Sequence, residues 1–221
     1  MEDIDSLKLP NLYIYQGKQL TLPDIHFKHS VGGEPIKERT LVQVMYDKNY
    51  LIVEFECLDN QRVAQNHYRD NNTPMWNQEV FEIFLAAGEN DPQRYLELEI
   101  NPNNALFLAW VNNADKLGSE LKLDFIDIEN SGVKWSVEVD EDDNSWSGVI
   151  KIPLEMFNGD KRDDSEEYRI NFFRIVSQVD REEEFWEGTP DDCVYGCWNS
   201  TSSPEQPCFH RSSYFGRLHL V

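Results

Sequence analysis

The chain reads as an all-β protein, an antiparallel β-sandwich of about ten short strands. Three observations carry this. Apolar and polar residues alternate over short runs from Leu41 onward. Turn residues such as Asp47-Lys48-Asn49, Pro102-Asn103-Asn104 and Glu141-Asp142-Asp143-Asn144 separate those runs. No segment shows the helical periodicity over roughly 10–15 residues that a parallel α/β fold needs between its strands. The 221 residues fit one such domain, 1–221, and 40% hydrophobic content is enough for a core without disulfide staples.

Residues 1–40 read as irregular, with turns at Leu22-Pro23-Asp24 and Val31-Gly32-Gly33. A hairpin follows, LVQVMYD (41–47) and YLIVEFECLD (50–59), in which Leu51, Val53, Phe55 and Cys57 face inward while Glu54 and Glu56 face outward. A long polar loop, 59–75, leads to Trp76. EVFEIFLA (79–86) puts Phe81, Ile83 and Leu85 on one face and Glu82 on the other. RYLELEIN (94–101) turns Leu96, Leu98 and Ile100 inward and Tyr95, Glu97, Glu99 and Asn101 outward. ALFLAW (105–110) follows the Asn-rich turn. Strands are then expected at 123–129, 132–140, 145–153 and 166–177, with one helical turn after Pro153. Residues 178–212 read as a second long irregular region before a terminal strand.

The formal charge of −21, from 41 acids against 20 bases, argues against nucleic acid and anionic membranes as partners, because phosphate binding needs clustered Lys and Arg. No apolar run approaches the roughly 20 residues that span a bilayer. The N-terminal segment has acids where a secretory leader has bases and no apolar stretch, which points to a cytoplasmic protein unless an upstream segment has been removed.

The stretch 76–110 concentrates the residues that folding alone does not require. Trp76, Glu82, Glu99 and Asn101 lie along it in a loop and on two neighbouring strands. Glu97 shares their face and is left as solvated surface. Of the six tryptophans, Trp135 and Trp146 fall inside alternating strands and read as core, whereas Trp76, Trp186 and Trp198 lie in loops. An exposed aromatic ring packs well on the C–H face of a sugar, and carboxylates and amides serve its hydroxyls. Arg174 shares a face with Tyr168, Ile170 and Phe172; if buried it must be paired, and Glu82 or Glu99 is the natural partner.

Catalysis has little support, since no GxSxG, HExxH or P-loop pattern occurs. Cys193, Cys197, Cys208 and His210 offer four zinc-type ligands, but at a spacing unlike common zinc sites, so free or disulfide-bonded cysteines are preferred. The acidic turns 141–144 and 160–164 could supply oxygen ligands to calcium, without an EF-hand spacing.

Five blocks in order resemble carbohydrate-binding module family 9 and its family 9-like relatives. They are Pro74-Met75-Trp76-Asn77-Gln78-Glu79-Val80-Phe81-Glu82-Ile83-Phe84-Leu85; Tyr95 to Pro102 with Ala105-Leu106-Phe107; the hairpin segments Ser131–Trp135 and Trp146–Pro153; Tyr168–Ile175; and Trp198-Asn199-Ser200 with Phe209-His210 and Phe215–Leu218. The resemblance covers residues 40–221 and implies an immunoglobulin-like sandwich that binds a mono- or oligosaccharide between two tryptophan rings without catalysis. Trp76 matches the first ring and Glu82 the acid that follows it; Trp198 is the choice for the second ring and Trp186 the reserve. Glu99, Asn101 and Arg174 complete the expected hydrogen-bonding set. Family members often hold structural calcium, whose ligands do not map onto this sequence. The alternatives are a scaffold protein that kept the fold without the sugar site, and a glycoside-active enzyme.

Overall fold

In the computed structural model, residues 8–158, 166–180, 189 and 191–221 are described. They form fourteen strands and four short 3-10 turns. One sheet contains β2 (Leu20–Thr21), the second half of β4 (Pro35–Tyr46), β5 (Tyr50–Cys57), β11 (Ser145–Pro153) and β10 (Lys134–Asp140). The other runs through β3 (His26–His29), β13 (Cys193–Cys197), β12 (Glu167–Ser177), β6 (Val80–Ala87), β7 (Arg94–Ile100), β8 (Leu106–Asn113) and β9 (Leu121–Phe125). The long strand β4 belongs to both: Pro35 and Arg39 pair with β3, and Thr40 to Tyr46 pair with β5. A strand that changes sheets in this way makes the corner of a sandwich. Pairing is antiparallel except between β1 (Asn11–Ile14) and β14 (Gly216–Leu220).

The alternation read from the sequence sets the core. Val53 and Phe55 of β5 and Ile150 and Ile152 of β11 meet Phe81, Ile83 and Leu85 of β6 and Leu96, Leu98 and Ile100 of β7, all at most 4% exposed. Phe55 stacks on Phe81 at 4.1 Å between centroids, with Trp146 edge-on to Phe55. Asn104, in the turn between β7 and β8, takes φ 62°, a left-handed conformation that Asn tolerates. Trp135 lies on the edge strand β10 and is only partly buried.

Two segments differ from expectation. Residues 8–40 are not irregular: they hold β1, β2, β3 and the start of β4. The region 178–212 contains β13, which joins β3 to β12. β1, β2, β3 and β13 are two to five residues long and take their place through backbone pairing with distant partners, so their own side chains show too little alternation to announce them. Gly196 of β13 packs closely against the core: a Cβ there would lie 2.7 Å from the end of the Ile36 side chain and 3.2 Å from Phe27 Cβ, so the neighbours would have to shift.

The outer face of the larger sheet is not open to water. A second apolar layer covers it, formed by Phe84, Tyr95, Phe107, Phe173 and Ile175 from the strands with Phe209 and Phe215 from the chain after β13. Phe173 stacks on Phe209 at 4.4 Å, and Arg169 donates to the carbonyls of Phe215 and Ser213 to hold that segment down. No helix among the described residues is long and apolar enough to cross a bilayer.

Candidate functional site

The register of the sheet gathers the acidic residues. Across one row of the outer face, Phe173 pairs with Glu82, Glu82 with Glu99, and Glu99 with Phe107. The next row pairs Phe84 with Glu97. Because side chains alternate along each strand, Glu82, Glu97 and Glu99 all project to the same side. Among the described residues they form the group of potential metal-type ligands that converges: one oxygen from each lies within 4.8 Å of the others.

These carboxyls line a cavity of about 340 Å³, within the range of roughly 300–1,000 Å³ typical of small-molecule sites. Phe107 and Ile175 continue its floor, Leu121 and Leu123 of β9 bound one side, and Tyr195 and Phe209 the other. Trp76, in the 3-10 turn Met75–Asn77, is 39% exposed and stands edge-on to Phe107 at 5.5 Å. His210 caps the acidic end: its Nδ1 bonds the Tyr95 hydroxyl at 2.7 Å, and its Nε2 is 3.8 Å from Glu97 Oε1. A groove of about 430 Å³ on the outer face of the smaller sheet is also acidic, with Glu54, Glu56 and Glu138, but contains no tryptophan.

Burial dominates the electrostatics. It raises the pKa of all three carboxyls, that of Glu97 to about 8. Glu82 is raised further by the charge of Glu97. Glu99 is raised, after burial, by the charges of Glu82 and Glu97 and by its hydrogen bond to Glu97. Burial and mutual repulsion therefore favour the protonated forms, with the Glu99 carboxyl donating to Glu97. Glu82 Oε1 and Glu99 Oε2 are buried without a hydrogen-bond partner, an expensive state for a carboxyl oxygen. Burial holds His210 neutral, its pKa lowered to about 4.

Of the sequence-predicted residues, Trp76, Glu82 and Glu99 come together in this pocket. Glu97 is not solvated surface: it is 5% exposed and completes the cluster. Asn101 is committed to structure. Its amide donates to Asn66 Oδ1 and Tyr68 O, and its oxygen accepts from the backbone of Asn103 and Ala105. Arg174 lies on the core face, opposite Phe81, and its partner is Glu79 at 3.0 Å rather than Glu82 or Glu99. Trp146 Nε1 also donates to Glu79, at 2.9 Å.

Trp198 does not form the second wall. It is 8% exposed within the inter-sheet core and edge-on to Phe172 at 5.7 Å. The preceding strand alternates, so Gly196 and Trp198 turn inward while Tyr195 and Cys197 turn outward. Trp186 and the acidic run 160–164 lie outside the described residues. Residues 141–143 of the turn are exposed, and the backbone NH groups of Asp142 and Asp143 are capped by Asp140. Cys193, Cys197, Cys208 and His210 do not converge on a common point among the described residues, and all four cysteines are free thiols.

Sequence reasoning missed Phe107, Tyr195, Phe209 and the pocket role of His210. The outward alternation of β8 and the aromatic pair Phe209-His210 were the available signals; what was not legible was that residues 207–210 fold back over β6 and β7.

No protein-family model matches the chain. A curated relative from Arthroderma benhamiae, named "Extracellular protein", is 29% identical over 201 residues, covering 89% of this chain and 85% of the relative. That finding corrects the expectation of a cytoplasmic protein. Among solved structures, a candidate carbohydrate-binding protein from Bacteroides uniformis superposes with a TM-score of 0.64 at 15% identity, covering 96% of this chain and 98% of that one. A family 9 carbohydrate-binding module from Caldicellulosiruptor kristjanssonii, in complex with cellotriose, superposes with a TM-score of 0.52 at 14% identity over 96% of this chain and 93% of that one. A glucose complex of a family 9 module from the same organism gives 0.52 at 16% identity, covering 96% of each chain. On these superpositions the chain has the fold of the family 9 carbohydrate-binding modules.

Proposed function

We propose that the protein binds a mono- or oligosaccharide in the pocket between Trp76 and the three buried carboxyls, and that it does so without turning the sugar over. The observation that carries this reading is the pairing, in one cavity, of a partly exposed indole with a polar cluster that can both donate and accept hydrogen bonds. A pyranose has the same two-sided character, with apolar C–H faces and a hydroxyl rim. Protonated Glu82 and Glu99 can donate to hydroxyl oxygens while Glu97 accepts. Tyr195 and Phe209 take the place of a second tryptophan ring. The likeness to modules solved with cellotriose and glucose supports the same reading.

The test is a titration of the protein with mono- and disaccharides while following tryptophan fluorescence, with the sugar recovered afterwards and analysed. The expected result is saturable quenching or a shift, sugar recovered intact, and an affinity loss of about tenfold or more in Trp76→Ala, equivalent to about 1.4 kcal/mol. An unchanged response in Trp76→Ala, or none in the native protein, would remove the site.

A further inference from the structure

The pocket has an acidic end with no basic counterpart. None of its lining residues is Lys or Arg, and its His210 is neutral. Buried carboxylates in proteins are paired or they neutralise by holding protons. Arg174 and Glu79 on the opposite face of the same sheet show the paired solution. Glu82, Glu97 and Glu99 lack it, and two of their oxygens, Glu82 Oε1 and Glu99 Oε2, have no partner at all. The cluster thus has ionisable carboxyls, unpartnered oxygens and the cavity to receive a cation from outside.

The cavity around the cluster distinguishes kinds of cation. An ammonium group has three donors in tetrahedral array; with bonds of about 2.8 Å it places its acceptors roughly 4.6 Å apart. One oxygen from each of the three carboxyls lies no more than 4.8 Å from the others, a spacing that admits an ammonium and a metal ion alike. A bare metal ion would use this corner and leave the remainder of a 340 Å³ cavity, with its Trp76, Phe107, Tyr195 and Phe209 walls, unfilled. An organic cation uses both, since aromatic faces favour cations as well as C–H surfaces.

We propose that the preferred ligand is an amino sugar, a glycan residue bearing a free primary ammonium that sits among Glu82, Glu97 and Glu99 while its ring packs against Trp76. This rests on the sugar-binding reading of the same pocket. Binding then exchanges bound protons for the ammonium: carboxyls protonated in the free protein ionise against the cation and release protons to solvent. The other titratable groups facing the cluster are Tyr95, Cys197, Tyr195, Cys208 and His210, with Asp115 near Tyr95. Burial keeps the tyrosines, the thiols and His210 in their neutral forms between about pH 5 and pH 7, so the released protons come from the glutamates.

Calorimetric titration with D-glucosamine, D-glucose, N-acetyl-D-glucosamine and calcium chloride, in buffers of different ionisation enthalpy, tests this. Glucosamine should bind about tenfold or more tighter than glucose and N-acetylglucosamine. It should release protons, and its advantage should grow from about pH 5 to about pH 7 because binding displaces protons from the carboxyls. In Glu82→Gln/Glu99→Gln the advantage should fall to within about twofold. Equal affinity for glucose and glucosamine overturns the amino-sugar preference while leaving sugar binding intact. Absence of binding by all three sugars overturns both. Calcium binding at millimolar concentration or below, lost in the double variant and with no glucosamine binding, makes the cluster a metal site and also overturns the proposal.

Discussion

Glu82 on β6 and Glu99 on β7 stand directly opposite each other across the sheet, 2% and 1% exposed. Like charges in such a cross-strand pair destabilise a sheet. A protein selected only for stability would not keep two glutamates there with a third, Glu97, on the same face. Their burial and mutual repulsion raise their pKa values, so the folded protein pays for the arrangement least when they are protonated.

This gives a pH dependence of defined sign. Unfolded glutamates titrate near about 4.3, whereas in the folded protein all three are raised, Glu97 to about 8. The folded state therefore holds more protons than the unfolded state between those values. Its stabilisation is fully present below about pH 4.3 and is lost as pH rises through the folded values. Urea midpoints should fall from about pH 5 to about pH 8, and Glu82→Gln/Glu97→Gln/Glu99→Gln should flatten that fall. A slope unchanged in the triple variant would assign the effect to the general charge of −21 instead.

The ion pair of Arg174 and Glu79 is a structural element of the core. Both side chains are at most 1% exposed, and Arg174 also donates to Arg39 O. Glu79→Ala should destabilise by about 3–5 kcal/mol in urea denaturation, because it leaves a buried guanidinium without its counter-charge. Replacing both residues together, Glu79→Leu with Arg174→Met, should cost clearly less than the single change. If it costs more, the pair supplies net stability rather than avoiding a penalty.

Trp198 and Gly216 form a second diagnostic pair. A Cβ on Gly216 would lie 2.5 Å from the Trp198 ring. Gly216→Ala should lower stability by about 1–3 kcal/mol through overpacking. Trp198→Ala should cost about 3–5 kcal/mol through the cavity it leaves. Neither change touches the pocket, so saccharide affinity measured well below the melting temperature should stay near the native value. A selective loss of binding in Trp198→Ala without loss of stability would contradict its placement in the core.

Cys208 is the one cysteine among the four that lines the pocket and is partly exposed. A maleimide should label it first in the native protein, slowly, because burial raises its pKa. Cys57, Cys193 and Cys197, all at most 7% exposed, should react only after unfolding. Mass spectrometry of the digested adduct reads the site; first labelling at Cys193 or Cys197 would contradict the packing of β13.

The sequence by itself determined the sandwich, the core strands and three residues of the candidate pocket, Trp76, Glu82 and Glu99. Alternation with period two is a local property, so Phe81, Ile83, Leu96 and Leu98 could be assigned inward and Glu82, Glu97 and Glu99 outward from their own strands. What it could not determine is what lies over an outward face. Tertiary structure turned that face from solvated surface into a covered pocket, by folding residues 207–210 back onto β6 and β7. It also sent Arg174 and Trp198 to the opposite side, through the pairing of β12 with the distant β6 and with β13. Burial is decided by partners distant in sequence, and burial changed an acidic strand pair into a proton-holding site. Trp76 kept its expected place because it precedes β6 directly; its expected companion did not, because the chain after β13 turned the indole of Trp198 into the core.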